Sequence, residues 1–129
     1  MNTYELTVYS WGALSMLLLV QLLVADILGI RARQVPGAPP ELDHANPLFR
    51  ASRTVANTNE SIAAYIVLVL FCIFNGADAP YTAYLSWAFV VGRIAYALCY
   101  YSNQSTMRSV SFGLSLLVLL GLLVVGLMA

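Results

Sequence analysis

Four long apolar runs constrain this chain more than any other feature of its sequence. They cover residues 6–30, 54–74, 80–101 and 107–128. Each run is long enough to cross the hydrocarbon core of a bilayer, which takes about 20 helical residues. Because the chain has 129 residues, of which 60% are hydrophobic and 9% charged, a soluble core could not hide this much apolar surface. The sequence therefore predicts an all-α integral membrane four-helix bundle, with residues 1–129 as a single domain.

Several classes of function are disfavoured by the remaining composition. The formal net charge is zero, so nucleic acid is not expected as a partner. Cys72 and Cys99 lie inside apolar runs without metal or redox spacing, and His44 is a lone histidine in a polar loop. We therefore expect no metal site and interpret both cysteines as small buried hydrophobic residues. The first run lacks a basic segment before it, which favours a retained helix over a signal peptide.

The arginines predict the orientation of the chain in the membrane. All six cations are arginines, and they lie around the first and third loops, at Arg31, Arg33, Arg50, Arg53, Arg93 and Arg108. By the positive-inside rule, these two loops face the cytoplasm and both termini lie outside. The short loops and the short single chain favour a bacterial inner membrane over a eukaryotic endomembrane.

Polar residues form a stripe at the start of the second run. Arg53, Asn57 and Glu60 are separated by four and then three residues, so they share one face of a helix. Polar groups at membrane depth are costly and usually point into a bundle or a wet cavity. The stripe is therefore a candidate binding site.

The third run carries a second polar set on one face. Arg93, Tyr96 and Tyr100 are spaced by three and four residues. Glu60 in the second run lies at a depth comparable to that of Arg93. We expect an ion pair between Glu60 and Arg93 as the simplest way to satisfy both buried charges.

The fourth run begins with a cation followed by a hydroxyl, Arg108 and Ser109. The free amides and the dipole at a helix N-terminus favour an anion, and Arg108 adds a full positive charge. This end could hold a carboxylate or a thiolate. Ser111 and Ser115 fit close helix packing better than ligand binding.

These three motifs together resemble the family of membrane-associated proteins in eicosanoid and glutathione metabolism, which includes the microsomal glutathione transferases. The family pattern of Arg, three residues, Asn, two residues and Glu stands here as Arg53, Asn57 and Glu60. The other two motifs are matched by Arg93, Tyr96 and Tyr100, and by Arg108 and Ser109. The resemblance covers nearly the whole chain, with four helices of matching order and length.

The resemblance implies a homotrimer of four-helix protomers, with glutathione bound between neighbouring subunits near the cytoplasmic face. It assigns Arg108 to stabilising the thiolate, and Tyr100 or Tyr96 could donate a hydrogen bond to the sulfur. Arg31 is the favoured arginine at the end of the first helix, with Arg33 as the alternative, and Arg50 competes with Arg53 for the motif position. The glutathione-binding set is then Arg31, Arg53, Asn57, Glu60, Arg93, Tyr96 and Ser109.

The function expected from this resemblance is glutathione S-transfer. Glutathione serves as co-substrate, and a lipophilic electrophile or lipid enters from the membrane lipids; an accompanying peroxidase activity stays open. The alternative is a non-catalytic lipid- or ligand-binding membrane protein of the same fold. A four-helix multidrug transporter is disfavoured, because the deep charges are mostly arginines and would repel cationic drugs.

Overall fold

The computed structural model describes residues 3–129 and consists of four long α-helices. These are α1 (Glu5–Arg31), α2 (Pro47–Phe74), α3 (Ala79–Tyr101) and α4 (Ser105–Leu127). All four are long and apolar enough to cross a membrane. The predicted all-α membrane four-helix bundle is confirmed.

The helices alternate in direction, so the connections fall at two opposite ends of the bundle. At one end, the Tyr4 hydroxyl donates to the carbonyl of Ala77, and Asn75 Nδ2 donates to the carbonyl of Gly126 at 2.7 Å. Both ends of the described chain therefore lie beside loop two (residues 75–78). Loop one (residues 32–46) and loop three (residues 102–104) lie at the other end, which we call the loop end.

The two central helices hold the bundle together. Both α2 and α3 contact α1 and α4 as well as each other, whereas α1 and α4 do not touch within residues 3–129. In the core, the rings of Tyr65 and Phe89 stack with centroids 4.4 Å apart, and the Tyr65 hydroxyl lies 2.7 Å from Ser10 Oγ. Apolar side chains surround this pair: Leu14, Val69, Cys72, Ala77, Val90, Leu119 and Leu122.

A small residue lets α3 and α4 approach closely near the middle of the two helices. A Cβ added at Gly92 would lie 2.9 Å from Ser115 Oγ, which is too close for an ordinary contact. The Ser115 hydroxyl is buried and donates to the carbonyl of Ser111 at 3.0 Å. Both serines are thus buried at this helix contact, as expected of packing residues.

The start of α2 differs from the sequence prediction. We placed it at residue 54, but the helix begins at Pro47, so loop one is shorter than expected. Asn46 caps the helix by accepting a hydrogen bond from the Leu48 amide at 3.0 Å, and proline is favoured in the first turn. The apolar run marks only the part of α2 that suits the hydrocarbon core, whereas the helix itself begins about two turns before the run. Arg50 and Arg53 consequently lie on the helix.

Candidate functional site

Arg93 is the largest fully buried side chain of the bundle and defines the candidate site. It lies about eight residues before the end of α3, or about 12 Å from the loop end. Its Nη2 donates to Asn57 Oδ1 at 2.6 Å, and its guanidinium carbon lies 4.4 Å from the centroid of the Tyr96 ring. Its Nε and Nη1 have no hydrogen-bond partner among residues 3–129. A buried cation is thus held by an amide and an aromatic face.

The expected ion pair between Glu60 and Arg93 is wrong. Glu60 Oε1 instead lies 3.9 Å from Arg53 Nη1. Seven residues along a helix return to within about 20° of the same direction, so these two side chains follow one line along α2. Asn57 is turned toward α3 and reaches Arg93, while the side chains of Arg53 and Glu60 stay 44% and 61% exposed.

Arg108 contacts the same group of aromatic rings from the first turn of α4. Its guanidinium carbon lies 4.5 Å from the centroid of the buried Tyr100 ring. The rings of Tyr100 and Tyr96 meet edge to face at 5.5 Å. Tyr96 in turn contacts Arg93, so a pair of tyrosines connects the two arginines. A guanidinium over an aromatic face is favourable, more so where water is excluded.

An open cleft of about 260 Å³ lies next to these arginines. Residues of α2, α3 and α4 line it: Asn57, Tyr96, Arg108, Ser109 and Phe112. Tyr100 supports Arg108 but is not part of the lining; its hydroxyl lies 3.4 Å from His44 Nε2. The exposed Ser109 hydroxyl donates to the carbonyl of Ser105 at 3.2 Å. The structure therefore brings Arg93, Asn57, Tyr96, Tyr100 and Arg108 together around one cleft.

The arginines next to loop one do not line the cleft, unlike Arg108. Arg31 and Arg33 are exposed, and neither is among the residues that line the cleft of its own protomer. Arg50 Nη1 donates to the carbonyls of His44 at 2.7 Å and Ala45 at 3.1 Å. Since Arg50 is committed to the loop backbone, Arg53 remains the arginine of the polar stripe.

His44 is a residue of this region that the sequence did not single out. Its ring lies 6.1 Å from that of Tyr100 at an angle of 13°, and 5.0 Å from that of Phe49. A loop follows no periodic pattern, so the sequence offers no signal for where its side chains end up.

The charges of the cleft decide what it can bind. Among residues 3–129, no group of three His, Cys, Asp or Glu side chains could hold a metal ion. Guanidinium groups and the free amides at the start of α4 favour anions instead, including carboxylates and thiolates. A thiol placed beside Arg108 would ionise more readily than in water.

The fold is that of an integral membrane protein, and the cleft at the loop end of its four-helix bundle is a candidate anion-binding site. The chain belongs to the MAPEG family, the membrane-associated proteins in eicosanoid and glutathione metabolism, because the family model matches residues 8–128. The resemblance drawn from the sequence motifs is thereby confirmed. A comparison with curated proteins finds no match to this chain.

Proposed function

We propose that this protein is a membrane glutathione transferase, which joins the thiolate of glutathione to a lipophilic electrophile. The observation that carries the proposal is the cleft that Arg108 lines, with Arg93 directly behind its wall. Neither arginine forms an ion pair with a carboxylate in the described part of the chain. Two positive charges without acidic partners fit a small acid such as glutathione.

Arg108 would supply the main chemical effect. A free thiol has a pKa of about 8.5, and a neighbouring arginine or a helix N-terminus lowers it. Arg108 combines both influences, because it lies in the first turn of α4. The thiol proton leaves to solvent, and the sulfur then attacks the electrophilic carbon. A carbon–sulfur bond forms, and the leaving group departs with the electron pair of the bond that breaks.

The tyrosines would take separate roles in this reaction. Tyr96 lines the cleft, which favours it over Tyr100 as the hydrogen-bond donor to the sulfur. The ring of Tyr100 lies against the Arg108 guanidinium, so Tyr100 acts by keeping Arg108 in place. Ser109 and Asn57 would contact the peptide part of glutathione from the same cleft.

The exposed ion pair of Arg53 and Glu60 supports association with a covering subunit, and the family resemblance implies that the assembly is a homotrimer. Glu60 lies about 14 residues before the end of α2, or about 21 Å, less than the hydrocarbon thickness of about 30 Å. A charge pair facing lipid at this depth is costly. A neighbouring subunit would cover this face, bring Arg31 to the site and enlarge the cleft, which is smaller than the roughly 300–1,000 Å³ usual for ligand pockets.

The distribution of arginines supports an orientation with the loop end in the cytoplasm, and the short loops favour a bacterial inner membrane. Arg31, Arg33 and Arg50 lie in or beside loop one at that end. Glutathione would then enter from the cytoplasm, and the electrophile would come sideways from the bilayer.

Calorimetric titration of the detergent-solubilised protein with glutathione tests the proposal. We expect binding by the wild type and its loss in Arg53→Ala and Glu60→Ala, since the carboxylates and the amine of the tripeptide lose their partners. Glu41→Gln, which alters an exposed loop carboxylate, is the matched control and should bind as the wild type does.

A conjugation assay with a chlorodinitrobenzene separates catalysis from binding alone. Product formation that depends on the wild-type protein supports the transferase. Binding of glutathione without any conjugation would favour the non-catalytic ligand-binding protein, and absence of glutathione binding would overturn the proposal.

A further inference from the structure

Loop one folds back over the loop end of the bundle and places His44 against Tyr100. The Tyr100 hydroxyl lies 3.4 Å from His44 Nε2, which is a long hydrogen bond. The two rings are nearly parallel, at 13°, with their centroids 6.1 Å apart. Phe49 of α2 meets the His44 ring edge to face at 5.0 Å. His44 is exposed, and its ring contacts aromatic side chains of α2 and α3.

The backbone of His44 is held in place as well. Arg50 Nη1 donates to the carbonyl of His44 at 2.7 Å, and Arg50 Nη2 approaches the carbonyl of Tyr101 at 3.5 Å. Tyr101 is the last residue of α3, where free carbonyls and the helix dipole favour a cation. Arg50 therefore ties loop one to the same end of α3 that carries Tyr100.

Tyr100 transmits this contact to Arg108. The Tyr100 side chain is buried, with 5% of its surface exposed, and the Arg108 guanidinium lies 4.5 Å from its ring centroid. His44 is not among the residues that line the cleft. It reaches the site only through Tyr100.

We propose that His44 is a positioning residue for Arg108, because its contacts with Tyr100 keep the tyrosine ring against the Arg108 guanidinium. This inference rests on the proposed function, in which Arg108 stabilises the glutathione thiolate. Without His44, the Tyr100 ring loses a hydrogen bond and an aromatic neighbour and can turn within its site. The guanidinium then loses its fixed place beside the sulfur.

The expected effect is a higher pH of half-ionisation for the bound thiol. Losing one hydrogen bond that orients the ring should raise this value by about half to one pH unit. The affinity for glutathione should stay within about threefold of the wild type, because the groups that bind its carboxylates are untouched. An effect on ionisation without an effect on affinity distinguishes positioning of Arg108 from general damage to the fold.

The experiment follows the thiolate absorbance at about 240 nm against pH, in protein saturated with glutathione. His44→Phe keeps the ring and removes both nitrogens, whereas His44→Ala removes the ring too. Tyr100→Phe keeps the ring under Arg108 and removes the hydroxyl. Glu41→Gln serves as the control, and the affinity of every variant is measured by calorimetry.

We expect the half-ionisation pH to rise in His44→Phe, to rise further in His44→Ala, and to stay at the wild-type value in Glu41→Gln. The double variant His44→Phe/Tyr100→Phe should behave as Tyr100→Phe alone, because the two groups act through one hydrogen bond. If His44→Ala does not fold, His44→Phe decides the question.

The results that overturn this inference differ from those that overturn the proposed function. Two results reject the role of His44 while leaving the transferase intact. One is a wild-type half-ionisation pH in His44→Phe. The other is a double variant in which the shifts of half-ionisation pH of His44→Phe and Tyr100→Phe add in full. A wild-type protein that binds glutathione without any thiolate signal rejects the proposed chemistry itself.

Discussion

Arg93 on α3 and Asn57 on α2 are joined by a hydrogen bond of 2.6 Å in the interior of the bundle. The guanidinium is fully buried, and Asn57 Oδ1 is its hydrogen-bond acceptor within residues 3–129. An amide accepts this bond without adding a second buried charge, which would carry its own desolvation cost. The contact joins α2 to α3 at the wall of the candidate site.

Removing the acceptor should destabilise the protein. In Asn57→Leu, the buried Arg93 charge loses its partner, and we expect a loss of about 3 kcal/mol in unfolding free energy. Asn57→Asp, which keeps an acceptor at the same place, should retain most of the stability. Thermal or denaturant unfolding in detergent measures both. Equal stability of Asn57→Leu and the wild type would contradict the importance of this bond.

The Tyr96 ring should contribute to the affinity for glutathione mainly through its face, whereas its hydroxyl acts on the ionisation of the sulfur. Arg93 lies 4.4 Å from the ring centroid, and a desolvated contact of this kind is worth about 1–2 kcal/mol. Tyr96→Leu should therefore weaken binding about tenfold, whereas Tyr96→Phe should bind nearly as the wild type does. Calorimetric titration with glutathione compares the two, and an equal loss in both variants would assign the effect to the hydroxyl instead.

The four spans could be predicted from the sequence because a bilayer demands long apolar runs. The start of α2 was missed because its first turns, at Pro47 and beyond, are polar enough to resemble a loop, although Asn46 and Pro47 form a recognisable helix start. Helix capping, and not hydropathy, marks that boundary.

The contacts within the site were harder to predict than its residue types. Spacing along one helix predicted that Arg53 and Glu60 lie on one face, and these two side chains are 3.9 Å apart. The partner of Arg93 depends on how α2 and α3 rotate against each other, which packing decides and spacing does not show. Asn57 faces α3, so the amide rather than Glu60 meets Arg93. His44 was missed because residues in a loop follow no periodic pattern that would show where their side chains lie.

The exposed pair of Arg53 and Glu60 should lie at a boundary between subunits. Native mass spectrometry of the solubilised protein should then detect an assembly of three 14.1 kDa chains. Arg53→Glu should weaken the trimer, because the attractive contact with Glu60, 3.9 Å in the wild type, is replaced by repulsion between like charges. The swapped variant Arg53→Glu/Glu60→Arg restores the opposite charges and should recover the trimer.

The swapped variant also separates assembly from binding. It should not recover glutathione binding, because the positions of the positive and negative charges are exchanged relative to the ligand. A monomeric wild type, or a trimer indifferent to Arg53→Glu, would contradict the placement of this pair at a subunit boundary.

Thiolate absorbance of bound glutathione in the wild type and in Arg108→Ala tests the account most directly. We expect a clear thiolate absorbance at about 240 nm at neutral pH in the wild type. Arg108→Ala should lose it, while Arg108→Lys, which keeps the charge but not the planar contact with Tyr100, should retain part of it. An undiminished signal in Arg108→Ala, with glutathione still bound, would contradict the central role of Arg108.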